Sequence, residues 1–154
     1  MSGETLLALA ERCEKASGPD RELDAAIRCA VFAPAGAFVE QSPINGAWCV
    51  YEIGYGGKKR SWEGRGLSQL QRLGEVTASL DAAMTLVPAG WGWLVSQPNA
   101  KALASGLLKE RTPVMGEVQY GCDQRFAVAA ATPALALCAA ALRARAHQET
   151  SNDG

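Results

Sequence analysis

Histidine is almost missing from this chain: His147 is the only one in 154 residues. That scarcity removes much chemistry. A structural or catalytic zinc site built on imidazoles needs several ligands at defined spacing. A Ser–His or Cys–His nucleophilic pair would rest on His147 alone, which follows an apolar run and opens a polar tail. No two of the five cysteines (Cys13, Cys29, Cys49, Cys122 and Cys138) form a C-x-x-C pair, and their spacings are long and irregular. An odd count, with several on apolar helix faces, reads as reduced thiols used as small hydrophobes in a reducing cytoplasm. None has a basic or helix-N-terminal setting that favours the thiolate. Cys122, between Gly121 and Asp123, is the most exposed candidate.

Long apolar runs and a surplus of either charge are lacking too. Nothing approaches the roughly 18–20 apolar residues of a membrane span. The first residues, MSGETLLALAERCEK, have no basic segment ahead of an apolar stretch and so do not read as a signal peptide. Fifteen Lys and Arg against sixteen Asp and Glu leave a net charge of -1, which argues against coating nucleic acid by bulk charge. With 48% hydrophobic and 20% charged residues the composition is that of an ordinary globular domain. The length suits one domain over 1–148, followed by a polar tail at 149–154.

What is present reads as alternating helices and strands. Leu6, Leu9, Cys13 and Ala16 recur at helical spacing, so residues 3–16 form an amphipathic helix. Gly18 stops it and Asp20 caps a second helix over 21–32, with Leu23, Ile27, Ala30 and Val31 inward. Glu22 and Asp24 are assigned to the solvated face. A metal site built from Asp20, Glu22 and Asp24 would need further oxygen ligands from converging elements. Residues 33–46 are loop with a short extended piece at 37–40, and 47–55 form an aromatic, β-branched strand.

Thr77 caps a helix whose stripe is Leu80, Ala83, Met84 and Val87; Pro88 and Gly90 end it. Trp91, Trp93 and Val95 then alternate on one face of a strand, and their aromatic bulk is expected in the core. Residues 67–75 allow one helical turn or an irregular connection, and 100–110 a short helix that Gly106 weakens. Residues 114–120 and 124–129 pair around Gly121-Cys122-Asp123. Thr132 and Pro133 open a closing alanine-rich helix that runs to about Ala146, and 150–154 fray. The fold class is therefore α/β in the α+β sense, a three-layer sandwich with a small, mostly antiparallel sheet and packed helices.

Three blocks together, GPDRELDAAI (18–27), TASLDAAMTLVP (77–88) and ATPALALCAAALRARA (131–146), resemble the phage ABA-sandwich proteins, small phage and prophage proteins frequent in alphaproteobacterial phages. They cover about a quarter of the chain, in the family's order. The resemblance implies a sheet layer between helices, a phage or prophage gene and a bacterial host cytoplasm. It implies no activity, cofactor or site residue. The unmatched segments are 32–74 and 100–123.

One of those segments holds the candidate site. Residues 55–66 put Lys58, Lys59, Arg60 and Arg65 beside Tyr55 and Trp62 among glycines. Cations and backbone N–H groups there would hold an anion, and an aromatic would face a base. It is not a P-loop, because Lys59 follows Gly57-Lys58 and Glu52 stands where the first glycine belongs. The plain alternative is a solvated hairpin tip. The expected function is thus non-enzymatic: a phage or prophage accessory protein, with a counter-defence role in view, that binds a host protein or an anionic small molecule. Lys58, Lys59, Arg60, Trp62 and Arg65 are its candidate contacts, and no catalytic residue, metal or cofactor is expected. The alternative is a nucleic-acid-associated helper that uses the same loop.

Overall fold

A computed structural model describes residues 2–62, 75–96, 114–121 and 124–152. The chain folds as helices α1 (Gly3–Lys15) and α2 (Arg21–Phe32), strands β1 (Phe38–Gln41), β2 (Trp48–Ile53) and β3 (Lys59–Ser61), helix α3 (Leu80–Met84), strands β4 (Gly92–Ser96), β5 (Val114–Tyr120) and β6 (Gln124–Ala130), and helix α4 (Pro133–Asn152). The segment 67–75, apart from Glu75, the segment 100–110 and Cys122 lie outside the described residues.

The α+β class stands, and every pairing among the described strands is antiparallel. The strands divide into two sheets, β1-β2-β3 and β4-β5-β6. The first sheet packs on α2, the second on α4, and α1 lies between α2 and α4. Helices therefore occupy the middle and sheets the outside, the reverse of the order the resemblance implies. Alanine explains this order. Ala134 through Leu142 are all buried, as are Ala144 and Ala146. A helix apolar on every side must be covered on every side, so α4 belongs in the centre. Full burial of Leu135, Leu137 and Leu142 contributes roughly 1.5–3 kcal/mol each.

Small residues also set how closely the layers approach. A Cβ built on Gly116 of β5 would lie 2.4 Å from the Ala136 carbonyl carbon and 2.7 Å from the Leu137 nitrogen. Here strand and helix backbones touch, which only glycine permits. The β5–β6 hairpin is in register from Val114↔Ala130 to Tyr120↔Gln124, and Gly121 takes φ +60 at the turn. Both Gly116 and Val118 face α4, and Trp93, Val95, Phe126 and Val128 share their face through the pairings.

The N-terminal half keeps its expected helices and changes one polar assignment. Leu6, Leu9, Ala10 and Cys13 of α1 are buried. The Asp20 carboxylate accepts the Leu23 N–H at 2.9 Å, as expected of a cap. Asp24, however, is not solvated: it is 2% exposed. Its carboxylate accepts the Thr77 N–H at 2.8 Å, and Thr77 Oγ1 accepts the Asp20 N–H at 2.9 Å. Burial holds the Asp24 carboxyl above its ordinary pKa, against the opposing Thr77 hydrogen bonds and the Arg21 and Arg28 charges.

Thr77 is consequently a buried clasp on α2 and not a helix cap. Ser79 caps α3, its hydroxyl accepting the Ala82 N–H at 3.3 Å. After Met84 the chain tightens into three-residue turns, with Leu86 N–H on Ala83 O at 3.0 Å. Tighter turns rotate the apolar face. Ala82, Ala83 and Leu86 are buried, whereas Met84, expected inward, is exposed.

Candidate functional site

The last two turns of α4 leave the layered core and run past the end of the second sheet. Residues expected to fray are helical to Asn152, and Thr150 and Ser151 each donate a hydroxyl to the His147 carbonyl at 2.9 Å. His147 is therefore held on a helix, and it is half-buried. Its ring lies 5.6 Å from that of Phe126, and its Nε2 is 3.3 Å from Gln124 Nε2, a spacing in which the amide N–H donates and the imidazole accepts.

An open cleft of about 400 Å³ forms where this helix end meets the hairpin turn and the segment before β4. Trp91 and Tyr120 form its aromatic wall, with ring centroids 5.4 Å apart, and Trp91 continues to Phe126 at 6.0 Å. Trp91 is 9% exposed and Tyr120 54%, so the first is the base of the wall and the second its accessible face. Gln124, His147, Gln148, Ser151 and Asn152 supply polar groups around it. Burial of Trp91 agrees with the expected core packing. Trp93 departs from it: the residue is on the helix-facing side of edge strand β4 yet 41% exposed.

A second, mainly apolar groove of about 250 Å³ lies on the other side of the Phe126–His147 contact, between α1, α4 and β6. Of the residues expected to bind an anion, none of those described lines either opening. Lys58 follows the Tyr55–Gly57 turn and is exposed. Lys59 and Arg60 are not in a loop at all, being part of β3, and successive strand residues point to opposite faces. Lys59 pairs with Glu40 on the outer face and lies 4.7 Å over the Tyr51 ring. The hydrogen bond to Glu40 raises its pKa. Arg60 Nε donates to Glu52 Oε1 at 2.8 Å. Trp62 is half-buried, and its backbone N–H donates to Val50 O at 2.8 Å. Arg65 lies outside the described residues. The two strand cations therefore balance carboxylates and do not converge.

The thiols are sheltered. Cys13, Cys29 and Cys138 are buried and Cys49 is half-buried, all unpaired. Burial pushes the Cys138 thiol well up, with Cys13 adding to it, and raises Cys29 as well. Cys138 donates to the Val76 carbonyl at 3.1 Å. Among the described residues, no group of three or more His, Cys, Asp or Glu is arranged to hold a metal, and no helix is long and apolar enough to cross a membrane.

The sequence carried one signal for the cleft that patterning passes over. Gln124 lies two residues before Phe126 and Gln148 follows the lone His147, on two different elements that only tertiary structure joins. Comparison of the chain with protein-family models, with curated proteins and with solved structures finds no match in any of the three.

Proposed function

We propose that this protein is a non-enzymatic binding protein whose ligand is a small, flat, uncharged heteroaromatic molecule held in the Trp91–Tyr120–His147 cleft. The observation that carries the reading is the lining itself: an accessible tyrosine face backed by a buried tryptophan, ringed by amides, a hydroxyl and an imidazole. Aromatic faces supply contact area at low entropic cost, and a few polar groups fix orientation. Among the described residues the lining contains no Lys, Arg, Asp or Glu, so a ligand with a formal charge would find no counter-charge among them. Amide side chains match the mixed donor and acceptor edge of a nucleobase or nicotinamide ring.

The resemblance to phage proteins supplies a setting for such a protein, an accessory factor in a bacterial host that acts by sequestering a small molecule. The pairing of Lys59 with Glu40 and of Arg60 with Glu52 supports an uncharged ligand over an anionic one. Titration with adenosine, cytidine, nicotinamide and indole, followed by amide and indole N–H chemical shifts, tests the proposal. Saturable shifts centred on Trp91, Gln124 and His147 for at least one probe, weakened about tenfold or more by Tyr120→Ala, are expected. Absence of saturable shifts across the panel, or binding that Tyr120→Ala leaves unchanged, overturns it.

A further inference from the structure

We infer that the edge of β6 that no described residue pairs with takes up an extended, uncharged peptide segment of a partner protein as a fourth strand, with apolar side chains at alternate positions. The inference is independent of the ligand cleft.

The first observation is a mismatch of widths. Helices α1 and α4 pack side by side, and of the second sheet's strands α1 meets β6. Two adjacent helices span about 20 Å, given axes about 8–10 Å apart and helices about 10–12 Å across. Three strands at about 4.8 Å spacing span about 14 Å. The described strands fall one short of the helices beneath them, and the shortfall lies beside β6, over α1. Leu7 of α1 is 39% exposed there, and Leu7, Phe126 and Ala146 line the apolar groove.

The second observation is the state of the edge. β6 is the terminal strand, seven residues long, and no described residue pairs with its outer side. Alternate residues of such a strand direct N–H and C=O away from the sheet. Two usual protections of an edge are lacking in the strand itself: there is no proline or lysine in Gln124–Ala130. The single charge, Arg125, is bound to Glu117 by two contacts of 2.8 Å.

These features select the occupant. Backbone groups in strand register require an extended chain, and the groove under every second position requires apolar side chains there. Arg125 is paired with Glu117 and Arg143 with Glu14, each at 2.8 Å, so these charges are already engaged within the chain and favour an uncharged segment. A second copy fits poorly. Two β6 strands about 4.8 Å apart would bring two α1 helices, each about 10 Å wide, beneath one seam.

The test begins with a bead-displayed library of random nonapeptides selected against the full chain, and the best synthetic peptide is measured by calorimetry and amide hydrogen exchange. Enriched sequences alternate apolar with small polar residues, and binding protects the freely exchanging amides of β6. N-methylation along one edge of the peptide abolishes binding, whereas N-methylation along the other edge leaves it intact. Leu7→Lys, a change at an exposed helix position, weakens binding by about tenfold or more. Peptides without alternation, tolerance of N-methylation on both edges, or unchanged affinity in Leu7→Lys overturns the inference. So does a concentration-dependent dimer that protects the same β6 amides.

Discussion

Replacing Gly116 by alanine adds one methyl group at the point where β5 meets α4, and the structure sets the consequence. The new carbon would lie 2.4 Å from the Ala136 carbonyl carbon, 2.5 Å from its oxygen and 2.7 Å from the Leu137 nitrogen. Ordinary contacts between carbons are about 3.5–4.0 Å, so strand and helix must separate by roughly 1 Å. The obstructing atoms are backbone, so no side chain can rotate away. Helix α4 is enclosed along Ala134–Leu142, and its displacement would loosen contacts with α1, α3 and both neighbouring strands. Overpacking typically costs about 1–3 kcal/mol, and the rigid neighbour places this site at the upper end. Entropy lost from the unfolded chain returns only about 0.4–1 kcal/mol. A net loss near 2–3 kcal/mol lowers the melting temperature by about 4–12 °C in a domain of this size. Gly92→Ala is the internal control, because its Cβ would meet only Gln119, at 3.8 Å, which is normal contact. Thermal and urea unfolding followed by circular dichroism compares the two. If Gly116→Ala is as stable as the wild type, or tracks Gly92→Ala, the close approach of β5 and α4 is wrong.

Other consequences are as direct. Asp24 has a folded pKa above its unfolded value, so the folded state holds a proton that the unfolded state has released between the two. Wild-type stability therefore falls as pH rises through that window and levels above it. Asp24→Asn keeps an acceptor for the Thr77 N–H and removes the buried charge, so its advantage in urea midpoint over wild type should grow as pH rises from below 3.8 and then plateau; an advantage that grows as pH falls contradicts the reasoning. Asp24→Ala, which leaves that N–H without its acceptor, is expected to cost about 1–3 kcal/mol in the same assay. In native protein treated with a disulfide thiol reagent at pH 8, peptide mapping should find Cys13, Cys29 and Cys138 unmodified until denaturant is added, and early labelling of Cys138 refutes the burial. A double-mutant cycle on the half-buried Glu14–Arg143 pair should return a coupling of roughly 1 kcal/mol, and zero coupling removes that pair as a link between α1 and α4.

Local grammar was readable wherever one element decided its own fate. Asp20 caps α2 because a short acceptor before an apolar run satisfies an orphan N–H. Gly121 turns the hairpin, and Thr132 with Pro133 starts α4 through the hydroxyl bond to the Leu135 N–H. Two failures involve distant partners. Asp24 shares the polar side of α2 with Arg21, and only a segment 53 residues later covers it. Thr77 looks like a cap because its neighbours are cap-like, but its hydroxyl was taken by Asp20. Lys59 and Arg60 read as a basic loop because glycines surround them, whereas pairing with β2 makes them strand residues on opposite faces.

The candidate site was hidden for a related reason. A helix that changes from apolar on every side to polar looks, in one dimension, like a helix that stops. Here it is a helix that leaves the core: Ala146 is 2% exposed, and from His147 onward the side chains are half-buried or exposed. Polar residues on such a segment are not a frayed end if hydroxyls hold its carbonyls and an aromatic ring packs on it, as Thr150, Ser151 and Phe126 do around His147. The same exit makes both openings. On one side it faces Trp91 and Tyr120 across the polar cleft, and on the other it faces Leu7 across the groove beneath β6. The alanines that force α4 into the centre thus also determine where the surface departs from a closed layer, and the one histidine stands at that boundary with its ring shared between the two openings.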